Sequence, residues 1–385
     1  MKKLMFLISL VSVVMTAAFA SAAEPIKLGY LAALTGEYAP YGIAEVNSAK
    51  MFFDSLNKAG GVLGRSVELI SYDTKSRPED AVNAVRRMIE SDKVVAIMGS
   101  NTSSINLATG PLVNMAEVPQ IGTATTNPAV TVGEDGKVHP YSFRICFTDP
   151  YQGTIAAEFA YNDLGKKKAA ILWNVGSDYA QGLREFFIEH YKELGGEIAV
   201  DEGYRDSDVD FRAQLALVKQ SGVDLLFLPG LGRDMGLIIK QAREMGLGDD
   251  QMKVVGGDGY GEFMIDIAGD ALVGTYWITH TNYYDENMQP IFKEYQEVYK
   301  EEAKEFGNVT LAYDLAKWVA DAIGRAGTAE GPAIAKALEE TKGLKLTHFT
   351  LTIDPANHNP INKPGIILTI GEDLKSEFFK EVEPK

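Results

Sequence analysis

Short apolar runs alternate with amphipathic stretches along most of the chain. Ile26–Ala33 is a mainly apolar run of strand length, and it leads into the loop Leu34-Thr35-Gly36-Glu37-Tyr38-Ala39-Pro40-Tyr41-Gly42. A helix is predicted over Glu45–Lys58, stopped by Gly60-Gly61, where a left-handed cap or turn fits. Ser66–Tyr72 predicts a second strand. Pro78 opens the next helix at its first turn, where a missing N–H costs nothing, and Ala81, Val82, Val85, Met88 and Ile89 then share one helical face.

The unit repeats. Val94–Met98 and Pro119–Ile121 predict strands on either side of a helix over Ser103–Ala116. Further strands are predicted at Ala169–Trp173, Asp224–Leu228 and Lys253–Val255, with helices from about Gln181 to Leu194 and from about Asp234 to Met245. Leu311–Ala326 reads as a long amphipathic helix, with short strands at Phe349–Ile353 and Ile366–Ile370. Strands alternating with helices of this length predict an α/β fold: parallel sheets covered by helices on both faces.

Length divides this pattern in two. At 385 residues the chain exceeds what one core of about 250–300 residues supports. The strand–helix series restarts near residues 144–150. This places one lobe at 24–145 plus 280–345 and the other at 146–279 plus 346–385. Residues 1–23 read as a cleaved secretory signal: Lys2 and Lys3, an apolar run from Leu4 to Met15, then Ala18-Phe19-Ala20. No cysteine follows it to carry a lipid anchor, so an unanchored protein in an enclosed periplasm is expected. After Glu24 no 18-residue stretch is free of charge, so the mature chain reads as soluble.

Charge and composition remove several functions. The formal net charge of −16 opposes phosphate backbones and anionic lipid surfaces, which disfavours nucleic acid and membrane partners. The single cysteine, Cys146, allows no disulfide within the chain, and its apolar setting Arg144-Ile145-Cys146-Phe147 reads as a small buried hydrophobe. The five histidines, at 139, 190, 280, 348 and 358, lack metal-ligand spacing and read as surface or loop residues. Gly256-Gly257-Asp258-Gly259-Tyr260-Gly261 and Gly230-Leu231-Gly232 both miss the dinucleotide pattern, and no nucleophile elbow or P-loop is present. No catalytic group, cofactor or metal is therefore expected.

Ligands of open parallel sheets bind beyond the carboxyl ends of the strands, so the loops there carry the candidate chemistry. Gly99-Ser100-Asn101-Thr102-Ser103-Ser104 runs into a helix start, where free N–H groups and hydroxyls suit a carboxylate or simply cap the helix. In Gly122-Thr123-Ala124-Thr125-Thr126-Asn127-Pro128, the Ala124 carbonyl can receive an ammonium and Thr126 can bond either charge. Turn-forming Thr and Asn explain the same residues. Asp258, among glycines, can pair with an ammonium or form a surface Asx turn. Tyr41 and Tyr179 each follow a strand and can line a pocket or pack. A carboxylate site on one lobe facing an acid on the other suits a zwitterion in a cleft.

At these residues the sequence resembles the leucine/isoleucine/valine-type periplasmic binding proteins of ABC importers, which have the type I binding-protein fold. The matching stretches include Leu34-Thr35-Gly36 with Tyr41-Gly42, Asn57 through Gly64, Asp73 through Pro78, and Ser103-Ser104. They continue with Thr125 through Pro128, Phe143-Arg144, Asp149, Gln152-Gly153, Asp178-Tyr179, Gly182-Leu183, Asp210-Phe211, Gln241 through Arg243, Gly246-Leu247 and Gly256 through Gly259. The ordered set runs from residue 26 to about 274.

The resemblance implies two Rossmann-like lobes joined by three crossings, a monomer, and delivery of an amino acid to a membrane permease. By position, Ser103 and Thr126 match the carboxylate site, and Ala124 and Asp258 match the ammonium site. Tyr41 and Tyr179 match the rings of the side-chain pocket. Asn101, Thr102 and Leu231 depart from the usual residues, so the side-chain site is less preserved than the backbone site. A branched aliphatic amino acid is expected. A polar amino acid, an amide, an aromatic acid or a sensory role is the alternative.

Overall fold

The computed structural model describes residues 24–384, so the secretory signal expected at 1–23 lies outside the described residues. Strands β1 (Ile26–Ala32), β2 (Val67–Asp73), β3 (Ala96–Gly99), β4 (Gln120–Gly122) and β5 (Ser142–Arg144) form an all-parallel sheet in the order β2-β1-β3-β4-β5. Helices α1 (Ala39–Lys58), α2 (Pro78–Arg87) and α3 (Ser103–Ala116) connect its first strands. The apolar content of β1 follows from burial on both faces. Leu28, Tyr30 and Ala32 point into one core, and Leu31 points into another with Ile97, Ile105 and Val113.

After β5 the chain crosses to a second sheet. There α4 (Asp149–Glu158), β6 (Lys168–Asn174), α5 (Asp178–Glu193), β7 (Glu197–Tyr204), α6 (Arg212–Ser221), β8 (Leu225–Leu228), α7 (Gly232–Glu244), β9 (Lys253–Gly256), α8 (Met264–Ala268) and β10 (Tyr276–Thr279) repeat the pattern. Ala169, Ile171 and Phe227 face one core and Ala170, Leu172 and Leu226 the other, the alternation a doubly covered strand requires.

Beyond β10 the chain returns through α9 (Gln289–Tyr299), α10 (Phe306–Ala326) and α11 (Gly331–Glu339) to the first lobe, where α10 packs along α1. Trp318 of α10 is fully buried against Phe143 and donates from Nε1 to Thr341 Oγ1 at 2.8 Å. A small sheet of β11 (Leu344–Lys345), β12 (Thr350–Asp354) and β13 (Asn359–Ile361) follows. The third crossing then leads to β14 (Gly365–Ile370) and β15 (Ser376–Val382). These two strands join the second sheet antiparallel, in the order β15-β14-β10-β9-β8-β6-β7, so this sheet is mixed. Leu346, Leu351 and Ile353 pack in the first lobe's core beside Trp318, so the sequence-based division after residue 345 falls inside a packed unit. The chain changes lobes at 362–364 instead.

Two local differences shape the site. α1 begins at Ala39 and not at Glu45, because Pro40 is accommodated in its first turn. α5 begins at Asp178, capped by Ser177, whose Oγ accepts from Ala180 N at 3.2 Å. Both shifts bring a tyrosine, Tyr41 and Tyr179, onto the first turn of a helix facing the cleft. No helix among the described residues is long and apolar enough to cross a membrane.

Candidate functional site

Between the lobes lies a cavity of about 90 Å³, lined by residues that follow strands of both sheets. Space for one water needs about 10–15 Å³, so this cavity takes a small solute. From the first lobe come Tyr38 and Tyr41 beyond β1, Ser76 beyond β2, Asn101 through Ile105 beyond β3, and Ala124 beyond β4. From the second come Ser177 and Tyr179 beyond β6, Asp206 beyond β7, Leu231 beyond β8, and Asp258 with Gly259 beyond β9.

The first-lobe wall is a helix start with its donors left free. Thr102 sits in the capping position of α3 but makes no side-chain cap bond. Ser103 Oγ accepts from Asn127 N at 3.2 Å, and Ser104 Oγ accepts from Asp178 N at 3.1 Å across the cleft. Neither bond uses the hydroxyl's own proton, which stays available to donate. Unsatisfied helix amides and the positive end of the helix dipole point the same way, which makes this wall suited to an anion. The loop beneath it is braced by Ser100 Oγ, which accepts from Thr102 N at 3.2 Å, and by Asn106 Oδ1, which accepts from Ser100 N at 2.9 Å.

Ala124 reaches the cavity, whereas Thr125 and Thr126 do not line it. Both threonines are fully buried in the same loop, and neither hydroxyl has a hydrogen-bond partner among the described residues. Arg144, also fully buried, holds this loop from behind. Its Nη1 donates to Thr125 O at 2.7 Å and its Nη2 donates to Asn127 O at 2.8 Å. Beside it lies Asp149, whose two carboxyl oxygens have no hydrogen-bond partner. Burial raises its pKa well above the carboxylate range, opposed by the nearby Thr126 hydroxyl, reinforced by Asp258 and opposed by Arg144.

The second-lobe wall centres on Asp258. Its side chain is only 3% exposed, so it is no surface turn. Asp258 Oδ2 pairs with His280 Nε2 at 2.8 Å. Tyr179 Oη accepts from Gly259 N at 3.3 Å and donates to Gln152 Oε1 at 3.4 Å. Gly257 permits this approach, since a Cβ there would collide with Tyr179 Oη.

The lobes are clasped shut. Tyr41 Oη of the first donates to Gly259 O at 2.5 Å and accepts from Gly232 N at 2.9 Å, both in the second. A Cβ at Gly232 would stand 2.6 Å from that hydroxyl, so glycine is required for the clasp. Asn127 Nδ2 donates across the cleft to Asp178 O at 2.9 Å.

Of the residues singled out from sequence, Tyr41, Asn101, Thr102, Ser103, Ser104, Ala124, Tyr179, Leu231 and Asp258 line the one cavity. Thr125 and Thr126 stand behind its wall. His280 and His358 lie in loops, as the sequence suggested, but they are buried there, each beside a ring and a carboxylate. His280 carried no signal in sequence because its partner lies 22 residues away. The topology places them together, since both follow the ends of the paired strands β9 and β10. Asp206 likewise had no local motif, while Asp149 entered only through the family resemblance and Tyr38 only as part of the loop after β1. Cys146 is buried, and its burial pushes the thiol up to about 12.

Residues 25–371 match the sequence profile of a family described as periplasmic binding proteins. An amino acid binding protein of Pseudomonas aeruginosa is 29% identical over 58% of this chain, and the match spans 58% of that relative's length. From the same organism, a leucine-, isoleucine-, valine-, threonine- and alanine-binding protein is 29% identical over 84% of each chain. A solved structure of LivJ from Streptococcus pneumoniae, a branched-chain amino acid transporter substrate binding protein in complex with isoleucine, superposes with a TM-score of 0.85. It is 31% identical, covering 94% of this chain and all of that one.

Proposed function

The chain belongs to the periplasmic binding protein family, and from that premise we propose that it captures a free amino acid, preferentially a branched aliphatic one, between its lobes for an ABC importer. One observation carries this reading. Free donors at the start of α3 on one lobe and the buried Asp258 on the other line the same cavity. An α-carboxylate fits the first wall and an α-ammonium the second, so only a zwitterion satisfies both. Ser103 and Ser104 donate to the carboxylate, and Asp258 with the Ala124 carbonyl accepts from the ammonium. Thr126 stands behind this wall and does not line the cavity.

Ligand contacts drawn from both lobes favour closure, and a closed form is what a membrane permease would receive. The protein works as a monomer outside the cytoplasmic membrane, exported by residues 1–23. The relatives' names support the aliphatic preference, since one is a leucine-, isoleucine-, valine-, threonine- and alanine-binding protein and the other is solved with isoleucine. A polar amino acid is the second reading, favoured by Asn101. That residue lines the cavity with a buried Nδ2 lacking any partner, near Ser76, Ser177 and Asp206. Unfolded and refolded protein, screened by thermal shift against the twenty amino acids, tests both. Stabilisation by leucine, isoleucine or valine supports the first reading, and stabilisation by polar amino acids alone supports the second. No shift with any amino acid rejects the proposal.

A further inference from the structure

The acid of the second wall does not stand alone. Its partner His280 is 3% exposed and lies on the second crossing between the lobes. The imidazole packs on the Phe147 ring, centroids 3.9 Å apart, and Phe147 lies on the first crossing. His280 Nδ1 is buried and has no hydrogen-bond partner in the protein. A histidine whose one nitrogen meets a carboxylate and whose other meets nothing carries its proton on the first, so Nε2–H donates to Asp258 Oδ2. Burial lowers the pKa of the imidazole, against the opposing pull of Asp258, which keeps the ring in this neutral form. The bond occupies one carboxylate oxygen and fixes the plane of a group that lines the cavity, and so it sets where Oδ1 stands. Because both residues gripping His280 sit on crossings or beyond strand ends, the direction of that oxygen is tied to the hinge.

We propose that His280 is the positioning residue for Asp258: held by Phe147, it orients the carboxylate from the hinge so that the second wall selects for an α-ammonium. This rests on the amino-acid reading above and adds a residue and a specificity to it. A ligand without the ammonium gains nothing from a correctly oriented carboxylate, so the effect of losing His280 is confined to amino acids.

The test compares wild type, His280→Ala and His280→Gln by calorimetry, after ligand-free melting has established that each folds. Glutamine places an amide donor where Nε2 stood. The probes are L-isoleucine and its deaminated 2-oxo acid. Removing a hydrogen bond to a charged group predicts that His280→Ala weakens isoleucine binding about 10- to 100-fold. The preference for isoleucine over the oxo acid shrinks by the same factor, and His280→Gln restores most of both. Unchanged isoleucine affinity in His280→Ala overturns the inference, as does equal weakening toward both probes. Should His280→Ala fail to fold, a His280→Gln protein with the wild-type preference supports the inference and one that has lost it overturns it. A wild type that binds no amino acid instead overturns the functional reading beneath it.

Discussion

At the scale of single residues, the account assigns opposite charges to opposite walls, and each assignment has its own variant. Asp258 is buried with one neutral histidine for a partner. Replacing it with alanine leaves a ligand ammonium without a counter-charge, which costs about 3–5 kcal/mol of binding. Calorimetry on Asp258→Ala checks this, and unchanged affinity would remove the acid from the site. Ser103 gives a second contrast. Its hydroxyl is not capping α3, so Ser103→Ala is expected to weaken amino-acid binding by about 1–2 kcal/mol with little change in melting temperature. A large loss of stability with intact affinity would restore the capping role. Several of these residues were legible in the sequence because each follows a strand and belongs to an unusual run of glycines, hydroxyls or acid. His280 was not, and Asp149 was marked only by the family resemblance, since their importance comes from burial and from the neighbours that folding brings to them.

At the scale of elements, the sequence reading held best where a strand is buried on both faces or a helix begins with proline or a clear polar start. β1, α3 and β8 were found within a residue or so. β7 was missed because it is an edge strand whose residues are largely half-exposed, so no apolar run marks it. Of the two late strands read from the sequence, β14 lies in the second lobe where it was expected and β12 does not, because only packing against Trp318 or Trp277 separates two such short strands. α1 carries a further expectation. Glu45 lies fully buried on it, accepting from Asn308 of α10 at 2.9 Å, Thr123 at 2.8 Å and Tyr30 at 3.4 Å. Burial raises its carboxyl from an ordinary 4.5 to about 7, with those three donors opposing. The folded state thus holds a proton that the unfolded chain releases at lower pH. Its stabilising contribution is complete below about pH 4.5 and is lost as pH rises through about 7. Glu305, raised to about 7, acts in the same direction. Melting temperature is therefore expected to fall between pH 5 and pH 8, with Glu45 supplying on the order of 3 kcal/mol. Glu45→Gln should flatten that slope, and a slope unchanged by the substitution would refute the assignment.

At the scale of the whole molecule, two α/β lobes meet at three crossings, at 145–148, 280–288 and 362–364. Tyr41 is part of the clasp between them, bonded to two backbone groups of the other lobe. Tyr41→Phe keeps the ring against Phe263 but removes both bonds. Binding should weaken by about 1–3 kcal/mol, and small-angle scattering with subsaturating ligand should show a larger share of the open, more extended form. Wild-type scattering and affinity in this variant would mean that the clasp is incidental. The central claim is that a zwitterion is gripped between the start of α3 and Asp258. A crystal structure of the protein with its amino acid bound tests it most directly. The account predicts the ligand carboxylate against Ser103 and Ser104 and its ammonium against Asp258 and the Ala124 carbonyl. A solute seated elsewhere, or reversed so that its carboxylate faces Asp258, would contradict it.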